Sequence, residues 1–255
     1  MTVFVRDGVR LAYREVGEGD VPVVLHTGGA GSGSMWERGG YVSRLAGFRL
    51  VLYDHRGRGA SDRPRTLAAH RMEQYVEDVV ALADALDAPR YALVGYSWGA
   101  AVGLRVAAQD PRLACLVALG HAFDPPGTEP SPWAYHVDPA DGMTELVGTV
   151  EADEQLTLPD WLRDEFMSTD AEQFALTLEA NTGRPDPWDM LDRIAARCVL
   201  IAGTEEDPHG TQDEMAARIP HGRSVHLAGS GHVGAFLRPD EVVTAALPAL
   251  HEATG

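Results

Sequence analysis

The chain has 255 residues, enough for one large α/β domain or two small ones. Hydrophobic residues make up 45% of it and charged residues 23%, which is typical of a globular protein with a sizeable core. The formal net charge of −17 repels phosphate backbones and anionic lipid surfaces, so we expect neither nucleic acid nor membranes as partners. All 21 basic residues are arginines, which excludes a Schiff-base lysine and the lysine of a P-loop.

No uncharged apolar run approaches the roughly 18 residues that suggest a membrane span. The first residues, Met1 to Asp7, lack the basic-then-apolar layout of a secretory signal, so we expect a cytoplasmic protein. Cys115 and Cys198 both lie in apolar runs and are interpreted as small buried hydrophobic residues. No spacing typical of metal ligands is present, so we predict no metal and no cofactor. The sequence does not indicate an oligomeric state.

Short apolar runs alternate with amphipathic stretches, which indicates a mostly parallel sheet flanked by helices. An initial hairpin is predicted over Val3–Val5 and Val9–Val16. Further strands are predicted at Val21–His26, Phe48–Tyr53, Tyr91–Gly95, Leu113–Leu119, Cys198–Ala202 and Ser224–Leu227. Helices are predicted between them, at Met72–Leu86, Trp98–Gln109, Gln212–Arg218 and Pro239–Glu252. Continuous apolar strands are typical of a sheet that is covered on both faces.

This alternation is interrupted once, between residues 122 and 190, where no strand is evident. After a proline-rich stretch, helical patterns run roughly over Met143–Leu156 and Pro159–Ala180. We interpret residues 122–190 as a helical cap inserted between two parts of an α/β core, residues 1–121 and 191–255. The cap holds sixteen acids against two arginines, a net charge of −14, and is expected to cover the carboxyl ends of the strands.

The segment Gly-Tyr-Ser-Trp-Gly, with Ser97 at its centre, lies between a predicted strand and a predicted helix. This context favours a G-x-S-x-G nucleophile elbow, a turn so sharp that the positions two residues from the serine must be small. The turn exposes the Ser97 hydroxyl above the sheet. It also directs the backbone N–H of Trp98 and the following helix N-terminus toward developing negative charge.

A serine hydroxyl needs a base and an orienting acid, which are expected to follow it in the order acid, then histidine. His232 alone among the ten histidines lies in a glycine-rich loop just after the last predicted strand. Asp207 follows the preceding strand and is a candidate for the orienting acid. Glu206 remains an alternative, and Asp124 is a weaker one.

The loop from His26 to Ser34 is rich in glycine, so its backbone N–H groups can converge on an anion. Two nucleotide-binding motifs are excluded there because Ser34 stands where G-x-G-x-x-G needs glycine and where a P-loop needs lysine. We expect this loop to supply a second oxyanion donor, together with the N–H that follows the nucleophile.

Together these motifs resemble the α/β-hydrolase superfamily, specifically its capped serine hydrolases, over nearly the whole chain. The Asp54–Asp62 stretch is similar to the family's D-x-R-G-x-G-x-S segment and is expected to be structural. The resemblance implies a mostly parallel eight-stranded sheet with helices on both faces and a small helical cap. It also implies a triad of Ser97, Asp207 and His232, with Gly28 and Trp98 forming the oxyanion hole. Asp207 is favoured because a proline follows it, as in many relatives, whereas Glu206 has the family's usual spacing of three residues past the strand-end glycine, Gly203. The family usually has glycine where this chain has Thr27, whose hydroxyl either donates to the oxyanion or fills space.

We therefore predict a serine hydrolase that cleaves a carboxylic ester or lactone of a small, largely apolar molecule. Thr27, His121, Trp133 and Trp161 are predicted to line its pocket, and the acidic cap favours neutral or cationic substrates. One alternative is an aminopeptidase similar to proline iminopeptidases. Another is a non-hydrolytic, receptor-like member of the fold. An elbow serine in place of aspartate disfavours epoxide hydrolysis and dehalogenation.

Overall fold

Eight strands form one sheet in the computed structural model, which describes residues 1–120, 138–183, 187–207 and 210–255. The strands are β1 (Thr2–Arg6), β2 (Val9–Val16), β3 (Pro22–His26), β4 (Arg49–Asp54), β5 (Tyr91–Tyr96), β6 (Leu113–Leu119), β7 (Arg197–Gly203) and β8 (Gly222–Leu227). Their order is β1-β2-β4-β3-β5-β6-β7-β8. The β1–β2 and β2–β4 pairs are antiparallel and the other pairs are parallel. The predicted eight-stranded, mostly parallel sheet is confirmed.

The core helices are α1 (Ser34–Arg38), α2 (Tyr41–Arg44), α3 (Met72–Ala85), α4 (Trp98–Ala107), α8 (Thr211–Arg218), α9 (His232–Phe236) and α10 (Pro239–Thr254). Short 3₁₀ helices lie at Leu67–His70 and Pro187–Arg193. The four longer core helices match the predicted ones. The periodicity missed α1, α2 and α9 because a helix of four or five residues is too short to show an apolar stripe. Among the described residues, no helix is both long enough and apolar enough to cross a membrane.

The sheet separates two apolar layers. Alternate residues of one strand face opposite layers: Val23 and Leu25 belong to one and Val24 to the other. The first layer includes buried residues of α10 and of the cap, and the second includes those of α3, α4 and α8. The central strands are therefore buried on both faces, which explains their continuous apolar sequences.

Three helices lie between β6 and β7, namely α5 (Thr144–Asp153), α6 (Asp160–Met167) and α7 (Ala171–Glu179). We call them the cap helices. The pattern that runs over Pro159–Ala180 is divided between α6 and α7. A separate helix, α7, begins here because the Asp170 carboxylate accepts the Gln173 N–H at 3.1 Å and so caps the helix N-terminus. The bounds of the cap at 122–190 stay a prediction, because residues 121–137 and 184–186 lie outside the described ranges.

Candidate active site

Ser97 lies at the sharp turn between β5 and α4, with a φ of +54° that side-chain-bearing residues rarely adopt. Its N–H donates to the Leu119 carbonyl at 2.8 Å, which anchors the turn to the neighbouring strand. A Cβ at Gly95 would lie 2.3 Å from the Gly99 carbonyl oxygen, and one at Gly99 would lie 2.2 Å from the His26 carbonyl oxygen. Both positions therefore require glycine for close backbone approach, as the elbow interpretation expects.

Replacing Gly99 with alanine is expected to displace the elbow, because the new methyl group would overlap backbone rather than a movable side chain. We predict a loss of roughly 1 to 3 kcal/mol in the free energy of unfolding, and reduced ester turnover in the folded fraction. Chemical denaturation measures the free energy of unfolding, and initial rates measure the turnover. Gly148→Ala in α5 is the matched control, since a Cβ there has nothing within 4 Å. Equal stabilities of the two variants would contradict this account of the elbow.

His232 links the elbow to an acidic loop. Its Nε2 lies 2.9 Å from the Ser97 hydroxyl oxygen, and its Nδ1 lies 2.6 Å from Glu206 Oε1. Ser97 follows β5, Glu206 follows β7 and His232 follows β8, so the carboxyl ends of these three strands bring the three side chains together. Donation from Nδ1–H to the carboxylate leaves the Nε2 lone pair facing the hydroxyl. This is the tautomer that a general base requires.

Asp207, the favoured acid, lies elsewhere. Its buried carboxylate accepts the Thr211 N–H at 2.9 Å, the Thr211 hydroxyl at 2.7 Å and the Gln212 N–H at 2.9 Å. These bonds satisfy the first turn of α8, whose N-terminal N–H groups have no acceptor within the helix. The prediction that Asp207 orients His232 is therefore corrected, and the alternative, Glu206, occupies that place. Asp124, the weaker alternative, lies outside the described residues.

The electrostatics of His232 predict the acid limb of the pH profile. Burial by itself lowers the pKa of the imidazole, but the charge and hydrogen bond of Glu206, together with the charge of Glu154, outweigh it. The net pKa is raised above the ordinary histidine value. A general base acts when neutral, so kcat/KM should fall as the pH drops through this raised pKa. A pH series of kcat/KM measures the midpoint, and a midpoint below that of free histidine would contradict the assignment.

The loop after β3 lies beside the elbow. A Cβ at Gly28 would be 3.2 Å from the Ser97 Cβ. The Thr27 carbonyl oxygen lies 2.9 Å from His26 Nδ1, whose proton it accepts. In a trans peptide the N–H points away from the preceding carbonyl, so this bond sets the direction of the Gly28 N–H. The Trp98 N–H points out of the N-terminal end of α4, because N–H groups of an α-helix point to its N-terminus and Trp98 begins this helix.

Three buried side chains, His26, His55 and Arg58, contact carbonyl groups of this loop. Sequence reasoning did not assign them to the site. The His26 and His55 rings stack with centroids 5.0 Å apart, and burial lowers the pKa of His26 to about 4. His55 Nε2 lies 3.0 Å from the Gly28 carbonyl oxygen, and Arg58 Nε donates to the Gly29 carbonyl at 2.6 Å. Neutral buried histidines and a fixed guanidinium therefore hold the carbonyl groups of the loop. The available signal was the position of His26 and His55 at the carboxyl ends of adjacent strands.

A cavity of about 120 Å³ opens above Ser97, Gly28 and His232. The cap helices supply most of its apolar wall, with Tyr96 and Val233 from the core and Thr177 as a polar side chain. The cap residues that share this apolar role are Leu146, Val150, Phe166, Phe174 and Leu178. The arrangement places a serine hydroxyl, an imidazole and the backbone of Gly28 and Trp98 at the floor of an apolar space.

Comparison with known proteins decides the family. Residues 23–246 match the alpha/beta hydrolase family. The chain belongs to this family. A Mycobacterium tuberculosis protein described as a non-heme bromoperoxidase, BpoC, is 28% identical over 264 residues, covering 94% of this chain and 97% of that protein.

Two crystal structures show the same alpha/beta hydrolase fold. A hydrolase from Pseudomonas aeruginosa PA01 has a TM-score of 0.80 at 24% identity, with 98% of this chain and 97% of that chain covered. The enol-lactonase from Burkholderia xenovorans LB400 has a TM-score of 0.79 at 24% identity, with 98% and 100% covered. These likenesses cover nearly all of this chain and show its fold.

The predicted pocket residues of this alpha/beta hydrolase need correction. Thr27, within the loop, is completely buried and does not line the cavity, so its side chain fills space. Trp161 packs at the α1–α6 contact, near Gly39 and with the Arg38 guanidinium 6.0 Å from its ring, away from Ser97. Smaller cap residues and Phe166 and Phe174 take its place. His121 and Trp133 lie outside the described residues.

Proposed function

We propose that this alpha/beta hydrolase is a serine hydrolase that cleaves carboxylic esters or lactones of small, largely apolar molecules. Ser97, His232 and Glu206 would form its triad. The observation that carries the proposal is the hydrogen-bonded series from Ser97 through His232 to Glu206 at the floor of an apolar cavity. A nucleophile, a base and an orienting acid in that geometry perform acyl transfer.

The first half of the reaction forms an acyl-enzyme. Ser97 Oγ attacks the ester carbonyl carbon while His232 Nε2 takes the hydroxyl proton. The Gly28 and Trp98 N–H groups donate hydrogen bonds to the carbonyl oxygen as negative charge develops on it. Each such donor typically stabilises the transition state by about 3 to 4 kcal/mol. When the tetrahedral intermediate collapses, the carbon–oxygen bond to the leaving group breaks and His232 returns the proton to that oxygen. Glu206 stabilises the imidazolium throughout.

The second half restores the enzyme. A water molecule takes the position of the departed alcohol, loses a proton to His232 Nε2 and attacks the acyl carbon. Collapse then breaks the bond to Ser97 Oγ, which recovers the proton from His232, and the carboxylic acid leaves. For a lactone the alcohol and the acyl group belong to one molecule, so a single ring-opened hydroxy acid leaves at this step.

The cavity limits the acyl group. Its volume of about 120 Å³ is slightly below the ~150 Å³ of a cavity that holds benzene, so it accommodates an acyl chain of roughly six carbons or fewer. We therefore expect kcat/KM on p-nitrophenyl esters to be greatest between acetate and hexanoate. It should fall by about tenfold or more at decanoate, whose chain must displace packed cap side chains. A profile that rises steadily to decanoate would contradict the small-acyl proposal.

The charge of the cap favours neutral or cationic substrates in this proposal. The described lining of the cavity contains no arginine that could pair with a substrate carboxylate, and the cap sequence carries a net charge of −14. We expect a neutral ester to be hydrolysed faster than its carboxylate-bearing analogue at low salt, with the difference shrinking at high salt. Paired kinetics of the two esters test this expectation. A tenfold preference for the carboxylate-bearing ester would overturn it.

The same ester series tests the proposal as a whole against its alternatives. Turnover of short esters supports the serine hydrolase. The described cavity lining holds no carboxylate to bind a substrate amine, which argues against the aminopeptidase. Turnover of proline arylamides without turnover of esters would reverse that choice. Tight binding of small apolar ligands with neither activity would favour the receptor-like alternative.

A further inference from the structure

Glu154 connects the cap to the catalytic histidine segment. It follows α5 directly, and its carboxylate accepts the Val233 N–H through Oε1 at 2.7 Å and the Gly234 N–H through Oε2 at 2.8 Å. Val233 and Gly234 are the two residues after His232. Both carboxylate oxygens of one cap side chain are thus bound to backbone N–H groups that adjoin the base, across about 80 residues of sequence.

The histidine segment is built to receive this carboxylate. The short helix α9 begins at His232, and the N-cap residue before it, Gly231, has no side chain to satisfy the first-turn N–H groups. A Cβ at Gly231 would lie 2.7 Å from Glu154 Oε2, so glycine leaves the room that the carboxylate occupies. The acceptors for the first turn of α9 therefore come from the cap.

We propose that Glu154 is a positioning residue that holds His232 toward Ser97 and couples the closed cap to an active base. The inference rests on the proposed function, because it assigns His232 the role of base. The two charge-assisted hydrogen bonds to the Glu154 carboxylate fix the start of α9, and therefore the position of the His232 imidazole. The cap that encloses the substrate thereby also orders the base.

The charges around His232 give this role a measurable signature. Glu206 faces the imidazole from the loop after β7 and Glu154 from the cap, while the Tyr96 ring stacks on it with centroids 5.1 Å apart. Ser97, the remaining partner, contributes a neutral hydroxyl. Both carboxylates favour the imidazolium, and each raises the pKa of His232. Removing the Glu154 charge should therefore move the acid limb of activity to lower pH.

Two substitutions separate charge from geometry. In Glu154→Gln the charge and one acceptor are lost, so we expect kcat to fall about tenfold with KM within about twofold, and the acid limb to shift to lower pH. In Glu154→Asp the charge stays but the reach shortens, so kcat should fall while the acid limb stays near that of the wild type. Asp153→Asn, the exposed neighbour, is the charge-matched control and should leave both unchanged.

Proton NMR of the His232 ring gives a readout that does not depend on turnover. In a Ser97→Ala background, Glu154→Gln should lower the pKa of His232 relative to the same background with Glu154 intact. Retained turnover in Ser97→Ala alone would overturn the proposed function, while this titration would still test Glu154. Wild-type kcat and an unmoved acid limb in Glu154→Gln would overturn the positioning role. So would a lower Tm without any change in kinetics or in the His232 titration, since that pattern indicates a structural contact alone.

Discussion

Replacing Ser97 with alanine is expected to lower kcat for a short p-nitrophenyl ester by about 10⁴-fold or more. The variant keeps the two directed N–H groups and the cavity but has no oxygen at the elbow that could carry the acyl group. A stopped-flow burst of p-nitrophenolate, equal in amount to the enzyme, should also vanish if deacylation limits the wild type. The absence of both signals would identify Ser97 as the group that is acylated.

A matched serine control makes this result specific. Ser43 lies exposed in α2, where its hydroxyl donates to the Gly40 carbonyl at 3.0 Å, and Ser43→Ala should retain wild-type kcat. Thermal unfolding of both variants checks that each is folded. If Ser97→Ala kept more than about a tenth of the wild-type kcat while folded, another nucleophile or an activated water would have to carry the reaction.

Replacing each of the two adjacent acids with its amide is expected to give the second large effect on kcat. In Glu206→Gln the partner of His232 Nδ1 loses its charge and its preference for the correct tautomer, so kcat should fall by roughly 10³- to 10⁴-fold. In Asp207→Asn the α8 cap weakens instead, and the free energy of unfolding should fall by about 1 kcal/mol with kcat within a few-fold of the wild type. Side-by-side kinetics and denaturation of the two variants measure the contrast.

The opposite contrast between the two variants would support the sequence prediction that Asp207 orients His232. If Asp207→Asn lost activity by orders of magnitude at unchanged stability while Glu206→Gln stayed active, Asp207 would be the orienting acid. The pH profile adds an independent check, because losing the Glu206 charge should lower the pKa of His232 and move the acid limb to lower pH.

The elbow and the sheet could be predicted because their signals are local. The apolar run of β5, the glycines at 95 and 99 and the pattern of α4 lie within about seventeen residues of each other, and each requirement is visible in the residue types. His232 was predictable for a similar reason, since its glycine-rich loop follows the last strand directly. Chain order then constrained which elements could meet at the carboxyl edge of a parallel sheet.

The choice between Glu206 and Asp207 depended on a competing demand for a carboxylate. Both follow β7, but the first turn of α8 needs an acceptor and Asp207 supplies it, which leaves the longer Glu206 side chain to reach His232. One signal did indicate this outcome, because Glu206 is three residues past Gly203, the usual spacing in the family. The proline after Asp207 favoured the other acid, whose carboxylate instead binds the first turn of α8.

The cap was harder to predict because its contacts are distant in sequence. Nothing near Glu154 indicates that its carboxylate binds N–H groups some 80 residues away, and Trp161 has the composition of a pocket residue but packs against the α1 region. Aromatic content alone does not distinguish a cavity wall from the cap's own core. Phe166 and Phe174, by contrast, do face the cavity above Ser97.

Covalent labelling tests the central claim most directly. A small alkyl fluorophosphonate loses fluoride when a serine oxygen attacks its phosphorus, so an activated serine gains a stable phosphonyl group. Intact mass spectrometry followed by peptide mapping should find one adduct per chain, on Ser97, and none in the Ser97→Ala variant. Labelling should slow markedly in Glu206→Gln. An unlabelled wild type, or an adduct on a residue other than Ser97, would contradict the assignment of Ser97 as the nucleophile.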